Sequence, residues 1–234
     1  MKDNRIISAA LIALGIIILG VCMKWGIDDF ANKDRKVEVK GLAEQEVEAD
    51  KVTWPVAFTE LGNDLPELYS RIAAKQKKIK AFLKAHGIKD SEMSINAPKV
   101  VDMNADTYSN NHHDERYNIT SIITVTSNNV KLVRKIISRQ GELLNQGIAI
   151  VSGGYENPTT YEFVAFKKMK PKMMQEAIEN AEKTAQQFAA NSHSKLSKII
   201  NADQGQFSID DRDSNTPWIK KIRVVTTVTY SLKD

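Results

Sequence analysis

The stretch Val37 to Phe58, VEVKGLAEQEVEADKVTWPVAF, decides the fold class. Val37 and Val39 alternate with charged residues, Gly41 interrupts, and Val47 resumes the pattern. Val52, Trp54, Val56 and Phe58 then alternate without a break. A period of two places such residues on one face of a pleated strand. Glu48-Ala49-Asp50-Lys51 lies between the two runs, so the stretch reads as a hairpin. Gly41 marks an expected bulge. Pro55 lacks an N–H, which puts its strand at a sheet edge or kinks it there.

Downstream, Asp64-Leu65-Pro66-Glu67 opens a helix: Asp64 can cap, and Pro66 is tolerated in the first turn. Leu65, Leu68, Ile72, Ile79, Phe82 and Leu83 share one face, and His86-Gly87 ends the helix. Ser94 to Met103 and Tyr117 to Thr126 read as strands. Asn128 or Asn129 caps a second helix through Val133, Ile136, Ile137, Leu143 and Leu144, which ends at Gly147. Short strands are expected at Ile148–Val151 and Thr160–Phe166, joined through Gly153-Gly154 and Asn157-Pro158. Pro171 opens a third helix, with Met174, Ala177, Ile178, Ala181, Ala185, Phe188 and Ala189 on its apolar face. The alanines let that helix lie close on a sheet. Two strands close the chain, at Lys198–Phe207 and Ile219–Leu232. Hairpins separated by helices define an α+β fold: antiparallel sheets with about three helices packed on them. An internal echo, helix then short linker then strand, runs over Ile79–Pro98 and again over Thr184–Ala202.

Upstream, Ile6 to Met23 reads IISAALIALGIIILGVCM and carries no charge. At about 1.5 Å per residue this run extends roughly 27 Å, close to the hydrocarbon thickness of a bilayer. Lys2 and Arg5 precede it; Lys24, Asp28 and Asp29 follow. The positive flank keeps the N-terminus cytoplasmic and sends the rest across. Leu19-Gly20-Val21-Cys22-Met23 offers no good small-x-small cleavage site, so the segment reads as an uncleaved signal anchor, with a cleaved signal peptide as the rival reading. The expected organisation is a cytoplasmic tail over 1–5, a transmembrane anchor over 6–23, a polar linker over 24–36 and one α+β domain over 37–234.

The net charge of +4 is a weak imbalance that fits solubility and excludes the concentrated basic stripe of a nucleic-acid binder. The single cysteine, Cys22, excludes an internal disulfide and a paired-cysteine zinc site.

The block Val37–Phe58 resembles the opening of the SIMPL-domain family, bacterial envelope proteins often described as periplasmic immunogenic proteins. Val37, Val39, Gly41, Ala43, Val47, Asp50, Val52 and Val56 fit that opening, while Ala49 stands where a proline is usual. PKMMQEAIENAEKTAQQFAA followed by LSKIINAD resembles the family's late alanine-rich helix and the strand after it, with Ser197 where glycine is common. The resemblance runs over Lys36–Asp234 in element order. It implies an extracytoplasmic α+β domain, a tendency to self-associate, and a loose association with envelope or oxidative stress. It implies no catalytic residue.

The densest chemical cluster is His112-His113-Asp114-Glu115, whose side chains can ligate metal or move protons. Its surroundings, Asn104 to Asn111, are polar and turn-like, so a solvated loop is the expected reading. His86 and His193 sit at helix ends. Lys75, Lys77, Lys78 and Lys80 read as a solvated helix face, Lys167, Lys168, Lys170 and Lys172 as a solvated loop, and Asp210 to Asp213 as a hairpin tip. No catalytic, cofactor-binding or metal residue is assigned and no cofactor is expected. The expected function is a non-catalytic inner-membrane protein, single-pass, with its domain in the periplasm. It would act as a homo-oligomer or by binding a protein or envelope polymer, without nucleic acid. The rival readings are an envelope metal-dependent hydrolase using His112 and His113, and a polyanion-binding module using the lysine runs.

Overall fold

The hairpin read from Val37–Phe58 is present as β1 (Lys36–Glu48) and β2 (Lys51–Gly62). The computed structural model describes residues 2–32, 35–105, 114–151 and 156–233. The other elements are α1 (Lys2–Asn32), α2 (Leu65–Ala85), β3 (Met93–Ile95), β4 (Lys99–Asp102), β5 (Tyr117–Ser127), α3 (Val130–Ile137), α4 (Gly141–Leu144), β6 (Thr160–Glu162), α5 (Phe166–Asn191), β7 (Lys195–Asp211) and β8 (Ile219–Lys233). Among the described residues the class is α+β, with antiparallel sheets and five α-helices. The chain divides into two compact units. One comprises Met1–Gln45, Met169–Ser208 and Ile222–Asp234; the other comprises Glu46–Lys168 and Ile209–Lys221.

In the second unit β2 pairs antiparallel with β5 from Val52↔Ser127 to Gly62↔Tyr117. β3 and β4 share the far side of β5, in register at Met93↔Val125 and Lys99↔Thr120. The single strand expected over Ser94–Met103 is therefore two, parted at Asn96-Ala97-Pro98, where the proline cannot donate. β6 covers only the start of β2, from Lys51↔Glu162 to Thr53↔Thr160. Beyond it the Ala57 carbonyl accepts from Val151 N–H at 2.7 Å. In an antiparallel strand the N–H and C=O of a residue point to the same side, and residues two apart share that side. Pro55 thus faces the side where β6 stops, and its missing N–H leaves no gap in the β5 ladder. The segment Ile148–Val151 makes this bond without forming the strand expected there.

α2 begins as its sequence indicates, with the Asp64 carboxylate accepting from Glu67 N–H at 2.8 Å. Leu68, Ile72, Ile79, Phe82 and Leu83 are buried with Val52, Trp54, Val56, Phe58, Ile119, Ile123 and Val125 in one core. Each such side chain contributes about 1.5–3 kcal/mol when fully removed from water. Asn129 caps α3 by accepting from Leu132 N–H at 3.1 Å. The helix expected through Leu144 breaks after Ile137 into tighter turns, in which Arg139 and Gln140 N–H reach back three residues to Ile136 and Ile137.

In the first unit the sheet order is β1-β8-β7. β8, the closing strand read over Ile219–Leu232, is central, and β1 and β7 are the edges. β1 runs through Gly41 unbroken, and the expected bulge is absent. The reason for glycine is proximity. A Cβ at residue 41 would lie 1.9 Å from the Ala177 carbonyl oxygen and 2.6 Å from the Ala181 nitrogen. The buried stripe of α5 is Met173, Ala177, Ala181, Ala185 and Ala189, spaced four apart. Ile178 and Phe188, expected in the core, are exposed. Each sits one residue from a stripe alanine, hence about 100° around the helix, and the narrow contact does not reach them. Pro171, expected to open this helix, lies inside it, and the first turn starts at Phe166.

The two units share a topology. In each, a strand leads to a helix and then to two strands, and the first strand lies beside the last: β1-α5-β7-β8 with order β1-β8-β7, and β2-α2-β3/β4-β5 with order β3-β5-β2. Both helices also end alike. Ile88 N–H reaches the Leu83 carbonyl after Gly87, and Ser194 N–H reaches the Ala189 carbonyl after His193. His193 takes φ 54°, a left-handed conformation usually left to glycine. The internal echo is thus a real structural repeat.

Of α1, the side chains from Ile12 to Ile27 are described, and all are exposed. Among the described residues no helix is long and apolar enough to cross a membrane. The transmembrane helix expected over 6–23 is not found among them; the side chains before Ile12 lie outside the description.

Replacing Gly41 by alanine should destabilise the first unit by about 1–3 kcal/mol, because backbone rather than a movable side chain occupies the space. Gly141→Ala, where a Cβ meets nothing within 4 Å, is the control and should leave the melting temperature nearly unchanged. Thermal unfolding of both variants checks this.

Candidate functional site

Among the described residues, those singled out in the sequence do not converge. His112 and His113 lie outside the described residues. Asp114 and Glu115 are exposed, and the Asp114 carbonyl accepts from Asn63 Nδ2 at 3.2 Å. Among the described residues no group of three metal-ligating side chains is present. His86 closes α2: its Nδ1 lies 2.8 Å from the Phe82 carbonyl, and its ring meets that of Phe82 at 4.4 Å. Lys75 pairs with Glu60, whereas Lys77, Lys80 and Lys84 border a shallow depression of about 430 Å³ beside Ile95. The second lysine run, expected as a loop, forms the first turns of α5. Asp211 pairs with Lys220 and Asp213 with Arg212, so those carboxylates serve the β7–β8 hairpin.

Glu60 is the most deeply buried carboxylate in these clusters. It faces Arg71 Nε at 3.0 Å and the Lys75 ammonium, tying α2 to β2. Burial raises its pKa, but hydrogen bonds from Lys75 and Arg71 outweigh burial and hold it below the ordinary value. Arg71 also donates to the Leu61 carbonyl at 3.2 Å and lies 3.8 Å from the Glu67 carboxylate. The cluster is a fastening.

Another surface cleft, in the second unit, has a volume of about 510 Å³. Its walls are Tyr161 of β6, Trp218 just before β8, and Ile137 of α3; its polar groups are Lys131, Arg134, Lys135 and Ser138. Trp218 is positioned by backbone. Its carbonyl accepts from Ala49 N–H at 2.8 Å, and Ile219 N–H reaches the Thr216 carbonyl at 2.9 Å. The turn before it is set by Asp213, which accepts from Thr216 N–H at 2.7 Å and Asn215 N–H at 2.9 Å. The Thr216 hydroxyl and Arg212 bind the same carboxylate and hold its pKa down at about 2. Tyr161 and Trp218 meet edge to face at 6.2 Å. Burial pushes the Tyr161 phenol up, against the pull of the nearby Arg134 charge, so the ring is neutral.

Arg134 stacks over Trp218, with its guanidinium carbon 3.5 Å from the ring centroid. The other arginines of this unit, Arg71, Arg116, Arg139 and Arg212, each hold a carboxylate. Arg134 has no ion pair among the described residues. Glu48 is engaged by Lys131 at 3.0 Å, and Glu162, next to Tyr161 in β6, by Lys51 at 2.9 Å. Arg134 and Lys135 also occupy the last turn of α3, where positive charge suits the helix dipole. The sequence analysis missed Arg134, Tyr161 and Trp218. They come from three distant segments, and none stands in a recognisable local motif.

The strand–helix–two-strand order of the described elements defines the class as α+β with antiparallel sheets. Over residues 37–230 the chain matches the family described as SIMPL, protein of unknown function (DUF541). It belongs to that family. Comparison with curated proteins gave no match.

Glu60→Gln should lower stability by about 2 kcal/mol near neutral pH, since two cations lose their shared partner. The folded pKa is depressed, so this contribution is present above the ordinary value of about 4.3 and lost as pH falls through the folded value. The difference in melting temperature between wild type and variant should therefore shrink below about pH 4. A difference that persists at pH 2 would contradict the ionic account.

Proposed function

We propose that the chain is a membrane-tethered, non-catalytic SIMPL protein whose folded units stand outside the cytoplasm and act by binding a partner or a second copy in the cell envelope. One observation carries the tether: from Ile12 to Met23 α1 carries no charge and leaves its described side chains uncovered, with Ile12 and Ile16 each more than 60% exposed. A helix of that kind needs an apolar surrounding that the rest of the chain does not give it. The uncharged run 6–23 before Lys24, with Lys2 and Arg5 ahead of it, supplies the length and the orientation.

Support for assembly is more local. β7 is an edge strand of seventeen residues, and Ile199 and Ile200 on it are about half exposed. Edge strands present unpaired N–H and C=O groups to any second strand. A tether raises the local concentration of copies, so a weak pairing would be populated. A role in envelope or oxidative stress belongs to this reading through the family resemblance.

Two measurements check it. A reporter that matures only outside the cytoplasm, fused after Asp234, should be active, and the full chain should sediment with membranes and resist carbonate extraction. Activity of a cytoplasmic reporter alone at that position would overturn the topology. In mild detergent the full chain should have a mass above that of one copy; a strict monomer at micromolar concentration would leave partner binding as the mode of action.

A further inference from the structure

Stacking fixes a guanidinium in one plane and leaves its N–H edge pointing outward. Arg134 is in that state over Trp218. Elsewhere in the same unit, arginine edges of this kind are filled by carboxylates, including Asp102 on Arg116 Nη2 at 2.8 Å and Glu142 on Arg139 Nε at 2.6 Å. Arg134 lines the cleft and has no carboxylate on it among the described residues. Lys135 adds a second positive charge to the lining, also without a carboxylate among the described residues. Glu48 and Glu162, on the strands that flank Ala49 and Tyr161, are paired with Lys131 and Lys51. The remaining walls are flat and apolar: the Tyr161–Trp218 pair and Ile137.

We propose that this cleft binds a small organic anion, with its carboxylate or phosphate head on the Arg134 fork beside Lys135 and its apolar or aromatic body between Trp218, Tyr161 and Ile137. The chemistry of each wall argues for this class. A guanidinium fork matches the two oxygens of a carboxylate or phosphate, and a charge-assisted pair of that geometry is about twice as strong as a neutral hydrogen bond. The two rings, inclined at 71° to one another, offer an apolar corner for the body of a ligand. A volume of about 510 Å³ falls within the range of small-molecule clefts. Neither part suffices alone. A bare anion would leave the rings wet, and a neutral apolar molecule would trap Arg134 without a partner. The proposal is independent of the tether and of self-assembly, because every residue in it belongs to the second unit.

The test uses the full chain in mild detergent, titrated with 3-phenylpropionate, phenyl phosphate, 3-phenylpropanol and inorganic phosphate. Binding is read by tryptophan fluorescence, with Trp218→Phe as the control for the source of the signal, and by calorimetry. At least one of the two phenyl anions should bind saturably, and which binds tighter identifies the head group. The neutral alcohol and inorganic phosphate should bind at least about tenfold more weakly. Arg134→Gln should weaken the phenyl anion by about tenfold or more, and Arg134→Lys should restore only part of it, since an ammonium lacks the fork. Melting curves of each variant separate loss of binding from loss of folding, and exposed Lys135→Gln, expected to weaken binding about threefold, decides the matter if Arg134→Gln unfolds. Absence of saturation by both phenyl anions up to about 10 mM, affinity unchanged in the Arg134 and Lys135 variants, or inorganic phosphate binding as tightly as phenyl phosphate would each overturn the proposal.

Discussion

The contact between the backbone of α5 and Gly41 is the constraint on which the first unit depends. A helix seated so that its own carbonyl and amide meet a strand at a position with no Cβ needs three things at once. The strand residue must be glycine. The helix residues beside it must be small, which Ala177 and Ala181 are. The strand itself and its neighbour β8 must bring larger groups to fill the flanks, as Val39, Val228 and Tyr230 do around Ala181 and Ala185. Any Cβ at residue 41 would push the helix outward and open space beneath a stripe that has no bulk to refill it.

The second unit solves the same topological problem by the opposite route. Its helix stands off the sheet on leucine, isoleucine and phenylalanine, and β2 presents Trp54 and Phe58 to meet them. Burial of large side chains then supplies most of the stability, and the Glu60 cluster adds a directional tie between helix and strand. The two halves of the repeat therefore differ in how a substitution acts: by added volume in one, by lost volume or charge in the other.

Much of this was legible from single elements. Asp64 and Asn129 announced their caps because a cap is a local event, a side chain meeting an amide three residues on. The alternation of β2 and the leucine-rich face of α2 were legible because each is a period within one element. What failed was whatever depends on distance between elements. Gly41 looked like a bulge because glycine in a strand has two explanations, and only the position of a helix more than a hundred residues later separates them. Ile178 and Phe188 looked like core because an apolar arc was taken as wide, while an alanine contact is narrow. Ile219–Leu232 gave no sign of being central, since strand order is not written in a strand. The histidine pair drew attention by adjacency alone; the cleft drew none, because Arg134, Tyr161 and Trp218 are ordinary residues until the fold brings them together.

That contrast has a physical basis in how arginine is used across the second unit. An exposed guanidinium beside a carboxylate contributes little and can be lost or replaced with small effect. A guanidinium stacked on an indole is different: its hydration is stripped from one face, its rotamers are restricted, and its remaining donors are aimed in one direction. The fold makes this arrangement twice over, first by stiffening the turn before Trp218 through Asp213 and then by anchoring the Trp218 carbonyl to Ala49. Stability alone does not require the indole to be held so firmly at a half-buried position. Recognition does, because a preformed wall and a preformed fork leave less freedom to be lost when a ligand arrives.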